Sequence, residues 1–142
     1  MSTTVFLGGT TGNDFRESIT YALVTRGVPK EQIFNPEVEL WDEAAQKLED
    51  KMKADPAVLM IYYLTGDKDG VFFSFNSLHQ AEMGLYDEPE RTVVIVGCDD
   101  YLPGAAKTVP KVYNDLKKRF PEAPIFQSLK EAVVWLIDRL KN

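Results

Sequence analysis

Short unbroken runs of apolar residues alternate along this chain with longer stretches in which apolar residues recur every three or four positions. Val5-Phe6-Leu7 is the first run and leads into Gly8-Gly9-Thr10-Thr11-Gly12-Asn13. Phe15, Ile19, Ala22 and Leu23 then recur at helical spacing, with Gly27 as the stop signal. A second short strand is expected at 32–34, just before Asn35-Pro36. Trp41, Ala45, Leu48 and Met52 mark a second helix, with Asp42 placed to cap it. Residues 58–63 are apolar without alternation, as expected of a central strand covered on both faces. A glycine-punctuated loop at 65–70 follows, and then Ser77 with Gln80 three residues on, a capping-box spacing that starts a helix near Ser77. Leu78, Ala81 and Leu85 form that helix's apolar face. A strand at 92–96 precedes a helix marked by Val109, Val112, Tyr113, Leu116 and Phe120, with Pro110 in its first turn. Ile125-Phe126 is a brief last strand. Ser128 and Glu131 repeat the capping box ahead of a final helix carrying Leu129, Ala132, Val133, Leu136, Ile137 and Leu140.

Five strands alternating with five helices imply one α/β domain over residues 1–142, with a parallel sheet, right-handed crossovers and helices on both faces. The expected strand order is 2-1-3-4-5, the flavodoxin-like doubly wound arrangement. In that order the connections reverse direction between strands one and three, and ligands bind beyond the carboxyl ends of those strands. The segments there are 8–16 and 65–82.

Bulk properties narrow the partners. A chain of 142 residues with 44% hydrophobic content supports a real core. A formal charge of -6 with scattered Lys and Arg argues against a nucleic-acid groove or an anionic membrane surface, though not against a nucleotide-sized ligand. One cysteine, Cys98, excludes an intramolecular disulfide and suits a cytoplasmic protein. One His and one Cys are too few soft ligands for a zinc site, and no cofactor is expected. No apolar run approaches membrane-spanning length, and the start of the chain lacks a secretory pattern.

The turn from Gly8 to Asn13 is rich in small and hydroxyl residues and opens a helix. Gly8, Gly9, Thr10 and Thr11 therefore suit either close approach to a ligand or a tight strand-to-helix turn, and Arg16 would add charge beside an anion. The Walker loop and the dinucleotide fingerprint are both absent. Ser77, in the second of those segments, and Asn35, after the second strand, complete the candidate binding set. Glu82 lies beside the apolar face of its helix, about one and a half turns in, where a carboxylate either leans over the sheet edge or faces water. Glu49 and Asp50 precede the central strand and read first as a polar helix face. His79 reads as a helix-start residue ahead of a general base, Asp99-Asp100 as a cap ahead of a cation site, and Trp41, Tyr62 and Tyr63 as core ahead of surfaces on which a base could stack. The loop at 65–73, with Gly66 and Gly70 as hinges, is either a lid or an ordinary exposed loop.

Three motifs in order resemble the nucleoside 2-deoxyribosyltransferase-like family. They are Val5-Phe6-Leu7-Gly8-Gly9-Thr10 with Phe15-Arg16, Phe34-Asn35-Pro36 with Trp41, and Ala81-Glu82-Met83-Gly84. The resemblance implies a flavodoxin-like homo-oligomer, dimeric or higher, that breaks the N-glycosidic bond of a (deoxy)nucleoside or nucleotide by transfer or hydrolysis. By the same resemblance Glu82 would be the nucleophile, forming a glycosyl ester through an oxocarbenium-like transition state. Gly8, Gly9 and Thr10 would border the substrate. Six residues before the nucleophile the family carries Asp or Ser. Asn76 stands there and can bond a sugar hydroxyl but cannot take a proton. Glu49 or Asp50 would handle the leaving base. Two other expectations remain: a non-catalytic nucleotide-binding or sensing module, motivated by Asn76, and a TIR-like NAD glycohydrolase.

Overall fold

The computed structural model describes residues 4–9, 15–36, 42–64, 75–97 and 108–141. Thr10, Thr11, Trp41, Asp99 and Asp100 and the loop at 65–73 lie outside them. Five parallel strands form one sheet: β1 (Val5–Gly9), β2 (Ile33–Phe34), β3 (Leu59–Leu64), β4 (Thr92–Val96) and β5 (Ile125–Phe126). Their order is β2-β1-β3-β4-β5, as the alternation of elements predicts. The helices are α1 (Phe15–Val24), α2 (Glu43–Ala54), α3 (Phe75–Asp87), α4 (Thr108–Arg119) and α5 (Leu129–Lys141). Short 3-10 turns, Lys30–Gln32 and Pro89–Arg91, lead into β2 and β4.

Side-chain alternation along the strands divides the core in two. Val5, Leu7, Ile61, Tyr63, Val93 and Ile95 pack against α1 and α5. Phe6, Met60, Tyr62, Leu64, Val94 and Val96 pack against α2, α3 and α4. This two-sided cover explains why β3 and β4 read as continuous apolar runs.

Most helix boundaries follow the local chemistry read from the sequence. The Asp42 carboxylate accepts from the Ala45 N–H at 2.8 Å, and the Ser128 hydroxyl oxygen accepts from the Glu131 N–H at 3.3 Å. Gly27 ends α1 with φ +98°. The capping box at Ser77 is a correction: α3 begins at Phe75, so Ser77 lies inside the first turn and is buried. The second strand is also shorter than 32–34, because Gln32 belongs to the preceding 3-10 turn. Among the described residues, no helix is long and apolar enough to cross a membrane, and no three His, Cys, Asp or Glu side chains gather as a metal site would require.

Helix α3 lies close on β4 because residue 84 has no side chain. A Cβ on Gly84 would stand 2.7 Å from the Thr92 Oγ1, whose hydroxyl donates to the Glu88 carbonyl at 2.8 Å. Gly84→Ala must therefore push the helix off the strand or break that bond. We expect it to lower the unfolding free energy by about 1–3 kcal/mol in urea titration, and an unchanged midpoint would refute this packing.

Candidate functional site

The carboxyl edge of the sheet is built around the end of β1. Gly8 pairs with Tyr62, and Gly9 pairs with Tyr63. A Cβ on Gly8 would meet the Tyr62 ring at 3.0 Å. A Cβ on Gly9 would collide with the Tyr63 backbone, and Gly9 also has φ +112°. Both glycines thus have a packing reason to be glycine, independent of any ligand.

Tyr63 links this strand end to the start of α1 and to the end of β4. Its ring stacks on Phe15 with centroids 4.5 Å apart and planes 9° apart. Its hydroxyl lies against Gly97, where a Cβ would come within 2.5 Å, and the Gly97 N–H donates to the Leu64 carbonyl at 2.8 Å. The Arg16 guanidinium sits 4.7 Å over the Phe15 ring. Arg16 is 3% exposed; its Nε donates to the Leu7 carbonyl at 3.1 Å and its Nη2 to the Gly9 carbonyl at 3.2 Å. The cation that the sequence offered to a ligand thus holds backbone carbonyls.

Asn35 follows β2, Asn76 and Ser77 open α3, and Gly97 follows β4, so all four stand at the same edge. Asn35 and Asn76 are exposed and Ser77 is buried. Gly8, Gly9, Arg16, Asn35, Asn76 and Ser77 are therefore assembled at one end of the sheet, as the strand order requires.

Glu82 is not assembled with them. Leu78, Ala81 and Leu85 point α3 at the sheet, and the Glu82 carboxylate leaves on the flank facing α4. There it meets the Arg119 Nη1 at 3.3 Å, with the two side chains 31% and 32% exposed. Arg119 also holds the Asp115 carboxylate at 2.7 Å and reaches the Tyr86 hydroxyl oxygen at 3.4 Å. Hydrogen bonding to Glu82, before all other contributions, makes Arg119 harder to deprotonate. The flank facing α4 is turned away from β1, because β3 separates β1 from β4. An ion pair at such exposure contributes at most about 1 kcal/mol.

The opposite flank of α3 borders a shallow groove of about 260 Å³ toward the end of α2, lined by Lys53, Tyr62, His79, Met83, Asp87 and Arg91 among others. Glu49 pairs with Lys53 at 3.6 Å, and Asp50 accepts from the Gln46 side chain at 2.9 Å. Neither carboxylate is brought to Glu82, since α2 and α4 lie on different sides of α3.

Arg91, which sequence reasoning passed over, and Tyr62, which it placed in the core, organise this groove. Arg91 is 5% exposed and donates to the carbonyls of Asp55 at 2.6 Å and Val58 at 2.8 Å, to the carbonyl of Lys53, and to the Glu88 carboxylate. It ties the end of α2 and the entry to β3 to the entry to β4. No local pattern separates it from a surface arginine. Tyr62, read as core, is a phenol whose proton burial holds. Burial pushes it up to about 12, Arg91 works against that, and Glu49 and Glu88 add to it.

Scans of protein-family models, of curated proteins and of solved structures find no match to this chain. The fold and the geometry therefore define a doubly wound α/β domain with a candidate binding edge.

An unfolded chain ionises tyrosine near 10, and folded Tyr62 ionises near 12. Between those values the unfolded state releases its proton first, so stability is intact below 10 and falls as pH rises toward 12. The loss from this residue is about 2–3 kcal/mol. Unfolding titrations at about pH 8 and about pH 11.5 should show wild type losing more stability than Tyr62→Phe. Equal losses would contradict the assignment.

Proposed function

We propose that this chain binds a (deoxy)nucleoside or nucleotide beyond the carboxyl ends of β1 and β3. The observation that carries the reading is the strand order β2-β1-β3-β4-β5, whose connections reverse direction between β1 and β3, the place where sheets of this kind bind ligands. Gly8, Gly9, Asn35, Asn76 and Ser77 stand at that edge of the sheet. The ordered motifs that resemble nucleoside 2-deoxyribosyltransferase-like proteins support the ligand class and, with it, a homo-oligomer.

Two fates of the bound ligand follow from different observations. The motif order favours cleavage of the N-glycosidic bond, by transfer or hydrolysis, with Glu82 attacking the anomeric carbon. The pairing of Glu82 with Arg119 on the α4 flank favours binding without turnover, as does Asn76, which cannot take a proton. Geometry weighs more than motif order here. A nucleophile must come within about 3–3.5 Å of the reacting carbon, and rotating a helix anchored by Leu78, Ala81 and Leu85 would unpack the core. Binding without turnover is the reading the geometry supports better.

Calorimetry and base release should be measured together on a panel of deoxynucleosides, nucleoside monophosphates and NAD. Saturable binding of at least one compound without release of base is the expected result. Release that falls by several orders of magnitude in Glu82→Ala would establish the cleavage reading instead. Release of nicotinamide from NAD would establish a glycohydrolase of the TIR-like kind. The absence of binding across the panel would remove the ligand class.

A further inference from the structure

The end of β1 presents backbone carbonyls that the sheet does not satisfy. The Leu59 N–H of β3 donates to the Thr4 carbonyl at 2.9 Å. Alternation along a parallel strand then turns the Phe6 and Gly8 carbonyls toward β3, and those of Val5, Leu7 and Gly9 toward β2. Strand β2 has two residues, Ile33 and Phe34, in register with Val5 and Phe6. It ends before Leu7. The carbonyls of Leu7 and Gly9 therefore face a place where the neighbouring strand has stopped, and a buried carbonyl without a partner is costly.

Arg16 fills that place. Its Nε and Nη2 bond the two carbonyls at 3.1 and 3.2 Å, so one edge of the guanidinium acts as a continuation of β2. The other requirement, a fixed approach direction, comes from the stack of Arg16 on Phe15 and of Phe15 on Tyr63. Arg16 thus ties the last residues of β1 to the first turn of α1.

We infer that Arg16 is the positioning residue of the carboxyl-edge site, holding the glycine strand end in its ligand-ready shape rather than pairing with a ligand phosphate. This rests on the proposed binding of a nucleoside or nucleotide at that edge. It adds a consequence for recognition: the side chain contributes equally to a neutral nucleoside and to its 5′-monophosphate.

The test uses Arg16→Lys and Arg16→Gln, so that one folded variant suffices. Neither can bridge both carbonyls in a planar fork. Amide hydrogen exchange in the unliganded protein reads the strand end, and calorimetry reads affinity for a deoxynucleoside and its 5′-monophosphate. The expected result is exchange at Leu7 and Gly9 faster by about tenfold or more, with α5 unchanged, and both affinities lower by about tenfold with their ratio preserved. Unchanged exchange at Leu7 and Gly9 would overturn the inference. Loss confined to the monophosphate would overturn it too, since the charge would then meet the ligand. So would faster exchange with unchanged affinity, because the role would be structural only. If wild type binds neither compound, the binding reading itself falls; faster exchange at Leu7 and Gly9 in the variants would mark that failure as one of ligand and not of the strand tie.

Discussion

Each carbonyl at the end of β1 must find a donor, and β2 is too short to provide one. The shape of the carboxyl edge follows from that constraint. Arg16 supplies the missing donors and is buried in doing so. A buried guanidinium needs a surface to lie on, and Phe15 provides it. Phe15 is in turn fixed by its stack on Tyr63, whose backbone leaves no room for a Cβ at Gly9 and whose hydroxyl leaves none at Gly97. Gly8 and Gly9 are thus first a packing solution.

The opposite edge solves the same problem with a second arginine. Arg91 collects the carbonyls of Lys53, Asp55 and Val58 where α2 gives way to β3, and Glu88 balances its charge. Removing water from a guanidinium costs several kcal/mol unless its hydrogen bonds are replaced, and here they are replaced mainly by main chain. Carboxylates on the helix flanks play a lesser part. Glu82 with Arg119 bridges α3 and α4, whereas Glu49 with Lys53 lies within α2; both are partly exposed pairs of small energetic weight.

The fold was legible in the sequence because its signals are local and redundant. The apolar run of β3, the caps at Asp42 and Ser128 and the stop at Gly27 each fix an element from its own residues. The alternation of elements then leaves few sheet orders. Ser77 misled because a capping-box spacing also occurs inside a helix that starts earlier. The candidate site was only half legible. Strand order placed Gly8, Gly9, Asn35 and Ser77 at one edge. The flank from which Glu82 leaves α3 depends on the hand of the crossover and the rotation of the helix, which periodicity does not carry. Nor does any pattern mark an arginine that will be buried against main chain: Arg16 and Arg91 look like surface residues until strand lengths and neighbours are known.

The most direct measurement is an NMR titration of the backbone amides with a deoxynucleoside and its 5′-monophosphate. The account predicts that shifts concentrate at Gly8, Gly9, Ser77 and Gly97 while Glu82, Arg119 and the groove beside His79 stay still. Shifts centred on Glu82 and Arg119, or on that groove, with Gly8 and Gly9 unmoved, would contradict it.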